Sequence, residues 1–471
     1  MTSVNATGGN AQLSLSWTAP LDNGSAPITG YTVTPFIGTT AQAAIPTGST
    51  APYFTVTGLT NGTTYSFTVA AINSFGTGPA SAHSNLATPS ASPPGVVYTP
   101  VVPYRVLDTR PSVQVGPYGT PLAGGPANAR PVQIAGTGGA GGVPVSGVTA
   151  VVLNVTIAGP TAAGFLTAWP SGSPQPLASN LNWGAGAAPV PNLVQVALWS
   201  NGYVLIATYA GTVDVIIDVA GYFSAASGAG RLYEPLAPQR VIDTRSSSPV
   251  GQGATLQVQI TGAHGVPASG VEAVVLNVTV TNTTTSSYLT AYPSDATRPT
   301  ASNLNWVGGQ TIPNRVTVKV GSTGAIKVYN YAGGTDVVID VNGYFTAPGN
   351  AAAGFQYYPL TPYRILDTRP NPIGQDSSIH VQVTGTINGG TVPADAAAVV
   401  TNATVTDTDF SSFLTVWPTG LARPTASDLN WTAGETVPNL TPVQLGIGGQ
   451  VDAYNYGGVA NLIIDVNGYY R

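Results

Sequence analysis

The chain has 471 residues, of which 14 are Lys or Arg and 19 are Asp or Glu, so 7% is charged where ordinary soluble domains carry about 25%. With 43% hydrophobic residues, 22 tyrosines and 7 tryptophans it has the apolar surface to offset ordering entropy, which excludes a disordered chain. A net charge of −5 with two lysines, Lys319 and Lys327, excludes a phosphate-neutralising surface, so no nucleic-acid partner is expected.

The absence of cysteine removes disulfides, thiolate metal sites and a Cys nucleophile, and no apolar run reaches the 18 residues of a membrane-spanning helix, so no membrane insertion is expected. The start, MTSVNATGGN, shows neither a basic nor an apolar signal region. Either a signal peptide has been removed or export takes another route. Apolar residues alternate in short runs, such as Leu13, Leu15, Trp17, bounded by Gly, Pro, Asn and Ser, and Asn-Gly turn dipeptides recur from Asn23 to Asn467. The expectation is an all-β chain of three or four domains.

In chain order, residues 1–90 come first. LSLSWTAP around Trp17, ITGYTVTP around Tyr31 and YFTVTGLTNGTTYSFTVAAIN resemble a fibronectin type III domain over the whole module. Trp17 and Tyr31 are expected to fill the space between two sheets, with Leu59 and Tyr65 flanking the Asn61-Gly62 turn. Such a domain is as much a spacer as a binder. Residues 91–100, rich in Pro, Ser and Ala, read as a semi-rigid linker holding the next domain at a distance.

Three copies of one unit follow, at 101–223, 231–345 and 355–471. PYRVLDTR (103–110) returns as PQRVIDTR (238–245) and PYRILDTR (362–369); VVLNVT (151–156) returns at 274–279 and as VVTNAT (399–404). ASNLNW (178–183) returns as ASNLNW (301–306) and ASDLNW (426–431), and each unit closes on VDVIIDVAGYF, TDVVIDVNGYF or ANLIIDVNGYY. Each copy is long enough for its own core, which predicts a fibronectin type III sandwich followed by three homologous β-sandwich, jelly-roll-like modules in tandem. A surface loop is expected in the first copy, at 111–131, where it is longer than the others. The small-residue joints 224–230 and 347–354 suit modules in a row, the arrangement favoured here, and would equally permit packing about a pseudo-threefold axis. The R-[VI]-[LI]-D-T-R, S-[ND]-L-N-W and D-V-x-G-Y motifs resemble a unit repeated in secreted and cell-surface proteins of actinobacteria and related bacteria. The resemblance implies an extracellular setting and an accessory role and names no ligand.

Four charged positions recur in every copy: Arg105, Arg240, Arg364; Asp108, Asp243, Asp367; Arg110, Arg245, Arg369; and Asp218, Asp340, Asp465. One reading is a thrice-repeated site for an anionic sugar or a Ca²⁺ ion. The favoured one is a buried ion-pair network tying each copy's first strand to its last, because two arginines near each aspartate would repel a cation. A second constellation joins Asn180, Asn182, Trp183 with Asn303, Asn305, Trp306 and Asp428, Asn430, Trp431. Amide and indole together are what a sugar site uses, while strand alternation permits a core tryptophan with capping asparagines. Asn154, Asn277 and Asn402 form Asn-x-Thr triplets inside apolar runs, which points to hydrogen bonding across the sheet or to a nearby loop.

An enzyme is not expected. None of the three histidines recurs in all copies, and Asp214 with Asp218, or Asp336 with Asp340, would stand ~13 Å apart along a strand at about 3.3 Å per residue. That exceeds the ~5 to 9.5 Å of glycoside hydrolysis. No cofactor is expected beyond the Ca²⁺ alternative. The reading that results is an extracellular structural or adhesive protein displaying its modules on a cell envelope, filament or phage appendage, with itself or a surface polysaccharide as partner. The alternative is a lectin-like protein using the Asn/Trp positions. Tyr329 and Tyr331, with Tyr454 and Tyr456, are candidates for the exposed contact surface.

Overall fold

Runs such as VEAVVLNVTVT (Val271–Thr281) and DVVIDVNGYFT (Asp336–Thr346) are rich in β-branched residues, which pack well on a pleated surface. Every residue of the second run is buried, as strands covered on both faces require. The computed structural model describes residues 2–9, 12–20, 22–89, 95–199, 201–225, 230–347 and 354–471, and among these it is all β apart from short 3₁₀ turns.

The N-terminal module is a two-sheet sandwich. Strands Thr2–Gly9, Gln12–Thr18 and Tyr53–Thr57 make one sheet and Gly30–Ile37 with Tyr65–Asn73 the centre of the other. Trp17 meets Tyr31 edge-on between them, with ring centroids 5.0 Å apart.

Each repeat is a pair of four-stranded antiparallel sheets. In the second repeat the inner sheet runs Leu232–Asp243, Asp336–Thr346, Val271–Thr281, Ile312–Lys319, and the outer one Thr255–Gln259, Ala325–Asn330, Ser287–Pro293, Leu304–Trp306. In chain order this is 1-8-3-6 facing 2-7-4-5, the jelly-roll arrangement. The other two repeats have the same order. Each sandwich encloses its own core, around Leu153, Leu166 and Trp183 in the first, Leu276, Leu289 and Trp306 in the second, and Leu414, Leu429 and Trp431 in the third.

The repeats do not stand in a row. The other face of each inner sheet is apolar as well, and Val152, Val275 and Val400 join Tyr98, Tyr233 and Tyr357 in one core shared by all three. The contacts permute cyclically. Tyr98 of the first repeat packs on Phe345 of the second at 4.2 Å, Tyr233 of the second on Tyr470 of the third at 4.2 Å, and Tyr357 of the third on Phe223 of the first at 4.7 Å. Short bridges do the same: Tyr98 pairs with Arg231, Tyr233 with Phe355 and Tyr357 with Val96. A row would leave these three faces in water, so the hydrophobic effect selects the ring. The D-V-x-G-Y glycine follows from the same packing, because a Cβ on Gly221, Gly343 or Gly468 would lie 2.2 to 2.4 Å from the hydroxyl of Tyr98, Tyr233 or Tyr357.

Other boundaries shift. Residues 96–100 belong to the first strand, Val96–Asp108, and not to a linker. Of the remainder, 91–94 lie outside the described residues, as do 226–229 and 348–353 of the joints. The fibronectin domain is not held at a distance, for the Thr55 hydroxyl donates to the Gly172 carbonyl of the first repeat at 2.9 Å. The longer loop of the first copy is not wholly surface either: Leu122–Ala123 pairs with the last strand and Leu122 is fully buried in the core.

Candidate functional site

In every repeat the first strand lies antiparallel to the last, which sets Arg105 opposite Asp218, Arg240 opposite Asp340 and Arg364 opposite Asp465. Arg105 places Nε and Nη2 on the two Asp218 oxygens at 2.9 and 3.2 Å and Nη1 on Asp108 at 3.0 Å. Arg110 grips Asp108 from the other side with Nε and Nη2 at 2.9 and 2.7 Å. The second repeat copies this with Arg240 on Asp340 (2.5 and 3.4 Å) and on Asp243 (2.9 Å), and Arg245 on Asp243 (2.9 and 2.5 Å). In the third, Arg364 holds Asp465 (2.9 and 3.3 Å) and Asp367 (3.3 Å), and Arg369 holds Asp367 (2.9 and 2.6 Å).

All four carboxylate oxygens of each repeat's pair therefore accept from a guanidinium. That is the strand-to-strand ion pairing expected of these positions, with each aspartate facing two guanidinium groups or one bidentate one. The network is graded and not wholly buried: Asp218, Asp340 and Asp465 are at most 3% exposed, whereas the Arg110, Arg245 and Arg369 side chains are 40 to 52% exposed. Burial pushes the Asp218 and Asp340 carboxyls up against the pull of Arg105 and Arg240. Hydrogen bonds from Arg245 bring Asp243 down to about 2, and those from Arg369 lower Asp367. At Asp108 burial pushes upward but Arg110 and Arg105 outweigh it, so this carboxyl too lies below its usual range. The threonine of the D-T-R motif is explained as well. Thr109 and Thr244 donate to Asp214 and Asp336 at 2.7 and 2.9 Å, and Thr368 to Asn461 at 3.2 Å, so these acidic positions serve the strand junction.

The Asn/Trp constellation presents no sugar-binding surface. Trp183, Trp306 and Trp431 lie in the sandwich cores, at most 4% exposed, and donate their indole N–H to the carbonyls of Ala162, Thr285 and Phe410 at 3.0 to 3.1 Å. Asn180, Asn303 and Asp428 are buried and accept from the backbone N–H of Ala168, Ala291 and Val416, each at 2.7 Å. Asn182, Asn305 and Asn430 donate to the nearby hydroxyls of Ser179, Ser302 and Ser427 at 3.0 to 3.2 Å. Alternation within a three-residue strand puts the indole inward, and the asparagines are spent holding its turn.

The residues that join the repeats include some the sequence reading passed over. Asn154, Asn277 and Asn402 reach a loop of the next repeat, donating to Ser302, Ser427 and Ser179 carbonyls at 2.6 to 2.7 Å. Their Oδ1 atoms accept from Asn314, Asn439 and Asn192, each at 2.9 Å. These three in turn cap the backbone N–H of Leu193, Arg315 and Leu440 across the axis, at 2.9 to 3.1 Å. The signal was present as a fifth repeated motif, Pro191-Asn192-Leu193, Pro313-Asn314-Arg315 and Pro438-Asn439-Leu440.

That motif is broken once, by Arg315, and S-N-L-N-W is broken once, by Asp428. The two departures meet each other. Arg315, fully buried, donates from Nη2 to Asp428 Oδ1 at 2.7 Å and from Nε to the Leu440 carbonyl at 3.0 Å. Burial pushes the Asp428 carboxyl upward, against the charge of Arg315.

The outward faces carry aromatic pairs. Tyr288 stacks on Tyr331 at 4.8 Å, Phe413 on Tyr456 at 4.8 Å and Phe165 on Tyr209 at 5.1 Å, all within 19° of parallel, with Tyr331, Tyr456 and Tyr209 exposed. Tyr329 and Tyr454, expected at the surface, are buried beneath Arg298 and Arg423, whose guanidinium carbons lie 3.8 and 3.5 Å from the ring centroids.

Fold and sites together define a class: a fibronectin type III domain joined to a ring of three jelly rolls. The fibronectin type III family matches residues 2–86 of the sequence. No curated protein matches it. Among solved structures, an Fn3-like protein from Clostridium thermocellum is 20% identical, with 18% of this chain and 88% of that one covered and a TM-score of 0.15. The FN1-FN3 domains of chicken CNTN1 are 14% identical over 72% of this chain and 93% of theirs, with a TM-score of 0.16. A structure described as the triple jelly roll fold and turret assembly of an archaeal virus is 8% identical over 80% and 89%, also with a TM-score of 0.16.

Proposed function

We propose that the chain is an extracellular structural and adhesive protein in which the three-repeat ring is a rigid head and the fibronectin domain a side module. It would display its surfaces on a cell envelope, a filament or a phage appendage. The observation that carries the reading is the use of the chain's scarce charge and buried amides. The recurring Arg and Asp side chains fasten strands to strands, and the recurring asparagines fasten repeat to repeat. Functional chemistry leaves polar groups free to meet a substrate, whereas here the repeated ones are consumed internally. The reading assigns no catalytic step and no cofactor.

Electron microscopy and light scattering on the purified full chain test it, alongside sedimentation with bacterial envelopes and their polysaccharides. Ordered assemblies, or retention on an envelope surface, are expected. A chain that stays monomeric at every concentration and is retained by no surface would overturn the proposal. The tyrosine shelves on the outer faces favour a carbohydrate partner over the Asn/Trp positions.

A further inference from the structure

We infer that the outer face of the second repeat binds an acidic polysaccharide, stacking a sugar ring on the Tyr288–Tyr331 shelf and pairing a carboxylate with Arg298. The inference rests on the adhesive reading above and gives it a ligand class. The shelf is preformed. Tyr331 N–H donates to the Tyr288 carbonyl at 3.2 Å, the rings are 15° from parallel, and the neighbouring Asn330 side chain is bonded to the Val250, Gly251 and Gly333 carbonyls. A flat, rigid aromatic face open on one side is what a sugar's C–H face packs against, at little cost in ordering entropy.

Charge selects the kind of sugar. Nine of the 14 cationic side chains are in carboxylate pairs. Arg298 and Lys327 have no carboxylate within ion-pair distance among the described residues, and both belong to this face. Arg298 lies exposed over Tyr329, itself 6.4 Å from Tyr288, and Lys327 precedes Tyr329 by two residues on the same side of the strand. Two unpaired cations beside an aromatic shelf, on a molecule of net charge −5, favour an anion that also offers a flat apolar face. A second copy of the chain would set like charges together across a two-fold contact, and two cations are too few to hold a nucleic acid.

The other repeats show the same shelf with that charge removed in the first and offset by acidic residues in the third. The first has Gln175 and Ala207 where the second has Arg298 and Tyr329. The third keeps Arg423 but has Asp452 in place of Lys327, and Asp376 bonded to Tyr454 at 2.6 Å.

The test is calorimetric titration of the full chain with polygalacturonate, with neutral dextran as the comparison, for the wild type and for Tyr331→Ala, Arg298→Gln and Arg423→Gln. Polygalacturonate should bind and weaken with added salt, and Tyr331→Ala and Arg298→Gln should each lose about tenfold or more, with Arg423→Gln close to wild type. Thermal unfolding of each variant separates loss of the site from loss of the fold. Equal binding of dextran, or affinity unchanged in Arg298→Gln, would overturn the assignment of an acidic ligand. Binding unchanged in Tyr331→Ala, or no polyuronate binding at all, would overturn the site. Ordered assemblies that persist without polyuronate binding would refute this inference alone and leave the scaffold proposal standing.

Discussion

Arg315 and Asp428 allow a substitution cycle in which each partner reverts to the residue that the other repeats carry. Asp428→Asn restores the asparagine found at 180 and 303 but leaves a fully buried guanidinium with only its Nε bond to Leu440. Losing one member of a buried pair costs about 3 to 5 kcal/mol. Arg315→Leu restores the leucine found at 193 and 440. It leaves Asp428 buried with the Val416 N–H as its remaining donor, a cost of about 3 kcal/mol at neutral pH on the same scale. Since burial already raises this carboxyl, the folded state of Arg315→Leu binds its proton more readily than the unfolded chain does, and the variant should lose stability as pH rises through the raised value. The double variant restores the repeat pattern and should lie within about 1 kcal/mol of wild type or above it, because well-packed apolar replacements of buried pairs are often neutral or stabilising. Urea unfolding followed by fluorescence and circular dichroism measures all four proteins. A double variant as unstable as the sum of the singles, within the ~0.5 kcal/mol scatter of independent sites, would refute the claim that the two departures exist for each other.

Asn314→Leu removes bonds to Asn154, to the Asn303 carbonyl and to Leu193 N–H. At roughly 1 to 3 kcal/mol per orphaned buried group it should cost about 3 kcal/mol or more and, read by urea unfolding, should make the repeats melt less cooperatively. Gly343→Ala should cost about 1 to 3 kcal/mol by overpacking against Tyr233, and an unchanged melting temperature would contradict the close approach. For Asp243 the folded value lies below the unfolded one, so its contribution is complete above the usual aspartate range and is lost as pH falls toward about 2. Asp243→Asn should accordingly lower the melting temperature at pH 7 and flatten its acid decline, while Asp218 and Asp340, shifted upward, contribute with the opposite sign. An acid limb as steep as the wild type's would contradict the assigned pairing.

Much of the fold was legible because its determinants are local. Alternation, Asn-Gly turns and four repeated motifs predict strands, and the fibronectin patterns around Trp17 and Tyr31 predict that sandwich. The Arg105–Asp218 type of pairing could be proposed because oppositely charged residues recurred at both ends of a unit. What was not legible is tertiary. The sequence of VVLNVT reads the same whether its second face meets a sandwich partner or a neighbouring repeat, so Val152, Val275 and Val400 did not reveal the shared core. Trp306 carries the composition of a sugar site but sits inside, because a three-residue strand turns its indole toward Leu289 and Leu276. Arg315 was passed over since a single cation in an apolar run has no meaning until its partner, 113 residues away, is placed beside it.

The ring also constrains how the molecule can associate. Each repeat offers one surface to the repeat after it and receives another from the repeat before it, a head-to-tail contact of the kind that makes an open fibre when it fails to close. Here it closes within one chain, since the third repeat returns to the first through Asn402–Ser179, Asn192–Asn402 and Tyr357–Phe223. Among the described residues no copy of that surface is left over to recruit a second molecule. Any assembly must therefore use what closure leaves outside: the outer sheets with their tyrosine shelves, the loops between them and the fibronectin domain. Those surfaces differ among the three repeats, in Arg298, Gln175 and Asp452, whereas the axial Asn154, Asn277, Asn402 and Asn192, Asn314, Asn439 are the same in all three. That division fits an axis that maintains the ring and outer faces free to specialise.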